Sequence, residues 1–254
     1  MFLLKMFSHR WWLATLLVIA ATIVLVRLGI WQLDRLEQRQ AFNAQVESAR
    51  SQPVLDLNEE QPKDFARMEW RAVQFTGKYD FANQVAIRNQ YYAGQYGYHL
   101  MTPLLSNSSS GSGQAGLPVL VDRGWIPADG NSTPADWRKY DVLGEVKVAG
   151  QIRLGQGKPA LGGIADALPA DGSKLEIWNN ADIEKIASQL PYPILAVYIQ
   201  EKPDAADHEP PIPFQPELEL TEGPHFGYAL QWFTFASILF IGYPFFILKQ
   251  EAKK

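Results

Sequence analysis

The sequence predicts a membrane protein in which two transmembrane helices flank a mainly antiparallel β domain, barrel- or sandwich-like, outside the cytoplasm and with few helices. Residues 11–33 and 224–248 are apolar stretches long enough for the hydrocarbon core, which takes about 20 helical residues. Between them, within residues 34–223, polar and apolar positions alternate from Trp70 onward between Gly-, Ser- and Pro-rich turns, the mark of half-buried strands.

The first span is uncharged from Trp11 to Val26 and then meets Arg27, close enough to one end to snorkel to the headgroups. A cleaved signal peptide is the alternative reading, against which stand the length of the apolar run and the lack of a small-residue cleavage site after it. The second span carries no charge from Phe226 to Leu248. Its flanks orient it: Glu217, Glu219 and Glu222 precede it, while Lys249, Lys253 and Lys254 follow. The positive-inside rule then puts residues 249–254 in the cytoplasm, and two spans put residues 1–10 there too. Lys5 and Arg10 agree with this; Arg27, Arg35 and Arg39 pull the other way. Ten residues before the first span leave no room for an organelle transit peptide, so the expected address is a bacterial inner (plasma) membrane with a periplasmic central domain.

Composition narrows the chemistry. The chain has no cysteine, which excludes disulfides and thiolate metal sites. Of four histidines, His9 lies in a flank and His208 in a proline-rich stretch, where both are expected to be solvated. A formal charge of −4 argues against nucleic acid as a partner.

Along the chain, a polar and exposed helix is expected to continue from the first span to just before Gln52 and Pro53, followed by irregular chain over residues 53–69. From Trp70 onward, Arg71, Val73, Phe75, Gly77 and Tyr79 share one face of a strand that ends in a turn at residues 80–83. Further strands are expected at 85–89, 96–104, 117–122, 142–154, 175–178 and 194–200, with one helix at 182–189. Residues 202–216 hold five prolines and read as a stiff lead into the second span.

Several motif matches carry little. Gly111, Gly113 and Gly116 satisfy G-x-G-x-x-G, but a strand-like run follows them where a dinucleotide site needs a helix. Gly155–Pro159 has proline where a phosphate loop needs Ser or Thr, and the sequons at Asn107 and Asn131 mean little in a bacterium. The serines of residues 106–112 lack a G-x-S-x-G elbow. His99 is the single histidine of the strand-rich region. An enzyme is therefore the weaker class.

What remains is a constellation at the outer ends of the spans. His225, Tyr228 and Trp232 fall at i, i+3 and i+7, within about two turns of one helix. Gly29, Trp31, Gln32 and Arg35 occupy the matching depth of the first span, with Gly29 allowing close helix approach. An imidazole beside aromatic rings, with Gln32 and Arg35 in reach of anionic groups, has the parts of a haem site, His225 being the metal ligand. The plainer reading is an interfacial histidine capping the span, with Trp and Tyr as lipid anchors.

The segments at residues 29–35 (GIWQLDR), 69–80 (EWRAVQFTGKYD), 97–104 (GYHLMTPL), 119–127 (VLVDRGWIP) and 225–233 (HFGYALQWF) resemble, in order, the surfeit locus protein family of cytochrome c oxidase biogenesis factors. The resemblance covers most of the chain. It implies two spans in the inner membrane and a role, without enzymatic activity, in assembling a haem-copper terminal oxidase. In bacterial members the implied role is chaperone-like: haem a is bound and helped into the catalytic subunit I. Partners would be that subunit, haem a synthase and the bilayer. The family's haem-binding His matches His225, and its neighbouring aromatics match Tyr228 and Trp232. The Ser- and Gly-rich residues 107–116 resemble an insertion, and Gln231 stands where relatives often carry Thr. The rival reading is a cofactor-free scaffold for an oxidase subunit; a periplasmic haem-modifying enzyme is a third. At Arg123-Gly124-Trp125 two readings stay open. In one, Gly124 turns the chain as the strand ends and Trp125 packs beneath; in the other, Arg123 meets a haem propionate or the oxidase.

Overall fold

A computed structural model describes residues 6–106, 116–157, 159, 162–203, 209–213 and 218–252. The expectations resting on Lys5, on 107–115 with Gly111 and Gly113, on His208, on Pro216 and Glu217, and on Lys253 and Lys254 lie outside the described residues. The chain forms two compact units, Met1–Gln45 with Leu218–Lys254, and Val46–Glu217.

The helical unit contains most of α1 (Trp12–Ser51) and all of α4 (His225–Glu251). Both are long and apolar enough to cross a membrane, and only 11% of each apolar window is buried. The core helix of a soluble protein would be mostly covered, so the bare apolar surface is what lipid would solvate. The chain shifts from Trp31 to a polar sequence without a break in α1, which ends before Gln52 and Pro53 as expected. Its tail is not wholly exposed, however: Val46 and Ala49 are buried.

The other unit is a closed barrel. Strands β2 (Ala72–Tyr79), β4 (Gln95–Ser106), β5 (Val119–Pro127), β6 (Val146–Leu154) and β8 (Val197–Glu201) pair in the cyclic order β2-β6-β8-β5-β4. Pairing of Gly77 with Ser106 and Tyr79 with Leu104 closes the ring. The β5–β8 pair is parallel and the other four are antiparallel. This is a five-stranded Greek-key barrel of the kind found in OB-folds, where closure removes free edges. Strand β3 (Val85–Tyr92) pairs with β4, β7 (Ile177–Trp178) extends the sheet beyond β3, and β1 (Leu55–Asp56) joins β2 within the stretch expected to be irregular.

Period-two alternation fills the barrel. Val73, Phe75, Leu104, Val119, Val121, Val148, Ile152, Val197 and Ile199 form one buried cluster drawn from all five strands. Leu120, on the opposite face of β5, packs with Met101, Ile87 and with Ile183 and Ile186 of α3 (Ile183–Ser188). Strand β5 is thus covered on both faces. Asp182 caps α3 by accepting from the Lys185 backbone N–H, at 3.2 Å.

Three local expectations are corrected. The barrel has a second α-helix, α2 (Pro134–Trp137), and 3-10 turns at Phe81–Asn83 and Arg138–Tyr140. A capping box signals α2, with Thr133 donating from its backbone and hydroxyl to Asp136 at 2.9 and 2.8 Å. Strand β5 does not end at Asp122. His99 pairs with Trp125 but Met101 with Asp122, so one extra residue of β5 forms a bulge. Gly124 has φ +112° there, the positive value expected, but in mid-strand; Trp125 is buried as foreseen. Finally, residues 209–213 are more than a linker. Ile212 exchanges both backbone hydrogen bonds with Trp125, at 2.7 and 2.8 Å.

Candidate functional site

Contacts between α1 and α4 descend one helix as they climb the other, so the two run antiparallel. Trp11 Nε1 donates to Glu251 Oε1 at 3.1 Å, Thr15 shares a 2.8 Å hydrogen bond with the Tyr243 hydroxyl, and the Phe233 ring lies over Gly29. A Cβ on Gly29 would sit 2.7 Å from that ring, so the absence of a side chain sets the approach. Farther along, Arg39 donates to the carbonyls of Thr221 and Glu219 at 3.0 and 2.6 Å.

Between Gly29 and Arg39 lies His225. Its Nδ1 is 2.8 Å from Gln32 Oε1. A carboxamide oxygen can only accept, so Nδ1 is the donor here, and in a neutral imidazole Nε2 is then the nitrogen with the lone pair. The Nε2 edge faces the bare Cα of Gly223, where a Cβ would lie 3.6 Å away. An imidazole oriented by a partner on one nitrogen and free on the other is the arrangement of a metal-ligating histidine. Among the described residues no group of three or more His, Asp or Glu could hold a metal ion. A single oriented imidazole would suit a metal that arrives already held in a cofactor, and in that respect His225 with Gln32 would fit haem.

The other sequence-predicted residues separate into two sets. Trp31 and Arg35 pair with each other, the guanidinium 5.6 Å from the ring centre, and Arg35 Nη1 donates to Gln38 Oε1 at 2.9 Å. Trp232 is half-buried and meets Phe235 edge-on. Tyr228 is 47% exposed and borders an open groove of about 470 Å³ with Pro224, Gly227, Gln231 and Phe235, on a face that excludes His225. The direct contact in the set is therefore His225 with Gln32.

Arg123 belongs to the barrel interior. It is 4% exposed, donates to Gln84 Oε1 at 3.1 Å and to the Tyr140 carbonyl, and lies over the Tyr79 and Phe81 rings at 4.9 and 5.1 Å. Burial lowers its pKa below the ordinary arginine value, and the charges of Tyr79, Glu201 and Asp141 oppose that shift. Its place in the site reading was open in the sequence; here its guanidinium stitches β5 to the barrel seam. Sequence reasoning also missed a buried ion pair, His99 with Asp122, although both residues stand in segments that carried the family resemblance. Polar residues facing each other across adjacent strands were the available signal.

Comparison with known proteins matches residues 19–237 to the SURF1 family. A SURF1-like protein of Rickettsia felis is 24% identical, over 90% of this chain and 94% of its own length. A SURF1-like protein of Monosiga brevicollis is 23% identical, over 87% and 82%. An uncharacterised SURF1-like protein of Mycobacterium bovis is 26% identical, over 92% and 83%. With a match that runs from the first apolar helix through the barrel and beyond His225, the chain belongs to the SURF1 family.

Proposed function

We propose that this protein is an assembly factor for a haem-copper terminal oxidase, that it holds haem a through His225, and that it assists insertion into subunit I. The observation that carries the reading is the Gln32–His225 hydrogen bond, which fixes the ring and leaves Nε2 free. When bound, haem would supply an iron able to take an imidazole nitrogen, and His225 is the residue that would hold it. Gln32 accepts from Nδ1 and so orients the ring with Nε2 as the nitrogen that would ligate. Gly223 leaves space beside that nitrogen. A single protein ligand suits delivery, which demands release as much as capture. The role requires no acid–base chemistry of the protein. Subunit I and haem a synthase are the proposed partners, in a bacterial inner membrane with the barrel periplasmic and both termini cytoplasmic. The acidic residues before α4 and Lys249 after it support that orientation.

The test is the visible spectrum of detergent-purified protein co-expressed with haem a synthesis, wild type beside His225→Ala. A stoichiometric haem band lost in the variant is expected. Absence of haem from both proteins, with subunit I still captured by both, would replace the carrier by a cofactor-free scaffold. Equal haem in both would remove His225 as a ligand.

A further inference from the structure

On the outside of the barrel, a cleft of about 340 Å³ opens between β3, β4, β5, β6 and β8. Its floor holds the His99–Asp122 pair, whose side chains are 10% and 8% exposed. Both carboxylate oxygens of Asp122 lie 3.0 Å from His99 Nδ1, and one also accepts the Gly124 backbone N–H at 3.1 Å. Asp122 is thus engaged by groups of the wall. His99 lines the cleft, and among the described residues no hydrogen bond is made by its Nε2. Arg153 is held by Glu69 at 3.2 Å and Gln200 at 2.9 Å, through Nε and Nη1, and is stacked on Trp70 at 3.8 Å. Among the described residues its Nη2 has no partner. Tyr198 also lines the space, and its hydroxyl has no hydrogen-bond partner among the described residues.

The acidic groups of this wall are thus engaged by protein donors, whereas an imidazole nitrogen, a phenol and a guanidinium edge remain unspent. Ile87, Met101 and the Tyr91 ring supply an apolar side. We propose that this cleft binds a small organic carboxylate, its oxygens taken by His99, Arg153 and Tyr198 and its apolar body laid against Tyr91. Burial lowers the His99 pKa, but the charge and hydrogen bond of Asp122 more than offset it, and the net shift is upward, toward the donor form. Burial, with the charge of Asp122, pushes Tyr198 up to about 12, so its hydroxyl keeps its proton. The charged and titratable groups that line the cleft with His99 are Asp122 on β5, Arg153 on β6, Tyr198 on β8 and Tyr91 on β3. The site lies within the barrel unit and is independent of haem binding.

The chain holds four histidines, so full-length protein in detergent, labelled at histidine Cε1, gives four assignable NMR signals. Benzoate is the probe. A saturable shift of the His99 signal, with an upward move of its pKa and no shift at His225, is expected. Tyr198→Phe, which keeps the ring and removes the donor, should weaken binding about tenfold, the effect of one hydrogen bond to a charged group. An unmoved His99 signal at saturating probe overturns the proposal, as does an equal shift with inorganic phosphate or an unchanged affinity in Tyr198→Phe.

Discussion

The barrel and the helix pair both bury polar side chains, but they do so on different terms. In the barrel Arg123 is surrounded: it has two hydrogen-bond partners and two rings, and its partner Gln84 also accepts from Thr102 at 2.6 Å. In the helix pair His225 has one partner and an open side. A group committed on all sides maintains the fold, because any change leaves a buried donor or acceptor unmet. A group committed on one side is available. The difference predicts where a substitution acts: barrel variants should lose stability, and those around His225 should lose binding while remaining folded.

The severest break should come at Gly124. A Cβ there would lie 2.2 Å from the Ile212 carbonyl oxygen, against backbone that cannot swing aside, at a φ that L side chains avoid. Gly124→Ala should cost about 3 kcal/mol or more through strain and the lost Trp125–Ile212 bridge, measured as a fall in the thermal midpoint. Next comes Arg123→Met, which keeps the stem and removes the fork. It strands the Tyr140 carbonyl and removes two cation–π contacts, so a loss of about 2–4 kcal/mol in denaturant unfolding is expected. Arg123→Lys should recover little of that, since one ammonium cannot meet Gln84 and Tyr140 and also lie flat on two rings. Full recovery by lysine would show that charge alone matters there.

These sites also mark where the sequence was legible. The spans and most strands were readable because hydropathy at periods of 3.6 and 2 is local information. Gly124 was readable as a residue with positive φ, but not as a bulge: that requires the register of β4, in which two steps from His99 to Met101 face three from Asp122 to Trp125. The same register places His99 beside Asp122, 23 residues away in the chain. Ile212 sits among prolines that read as linker, and only its partner Trp125 reveals a strand-like bridge. Helix α2 is four residues long, too short for a periodic signal, although its Thr133 and Asp136 were in plain view. At the helix pair, the common depth of His225 and Gln32 could be counted from the span ends. The direction of each side chain, which separates Tyr228 from His225, could not.

A smaller effect in the barrel is a pH dependence. His99 has its pKa raised in the folded state by Asp122, against the opposing effect of burial. The folded protein therefore holds a proton that the unfolded chain, with an ordinary value of about 6.5, has released. The stability contributed by the pair is complete below that value and is lost as pH rises through the higher folded value. Asp122→Asn should lower stability at acidic pH and flatten that decline. Unfolding curves from mildly acidic to alkaline pH check this, and a wild-type profile that rises across the window would contradict it.

The smallest expected effect on stability falls at Gln32, and it sharpens the comparison most. Gln32→Leu keeps the size of the side chain and removes the one hydrogen bond to His225. At this half-buried helix position the change should fall within about 0.5 kcal/mol, because leucine is a good helix former and His225 can turn toward water. The imidazole would then lose the partner that fixes its proton on Nδ1, and Nε2 would spend part of its time protonated or turned away. Groups that hydrogen-bond and orient metal-bound histidines are typically worth about 10–100-fold in affinity. Haem retention in Gln32→Leu should drop by that factor while the thermal midpoint holds. If both fall together, the hydrogen bond is helix packing, and the distinction between committed and available groups fails at the residue where it matters most.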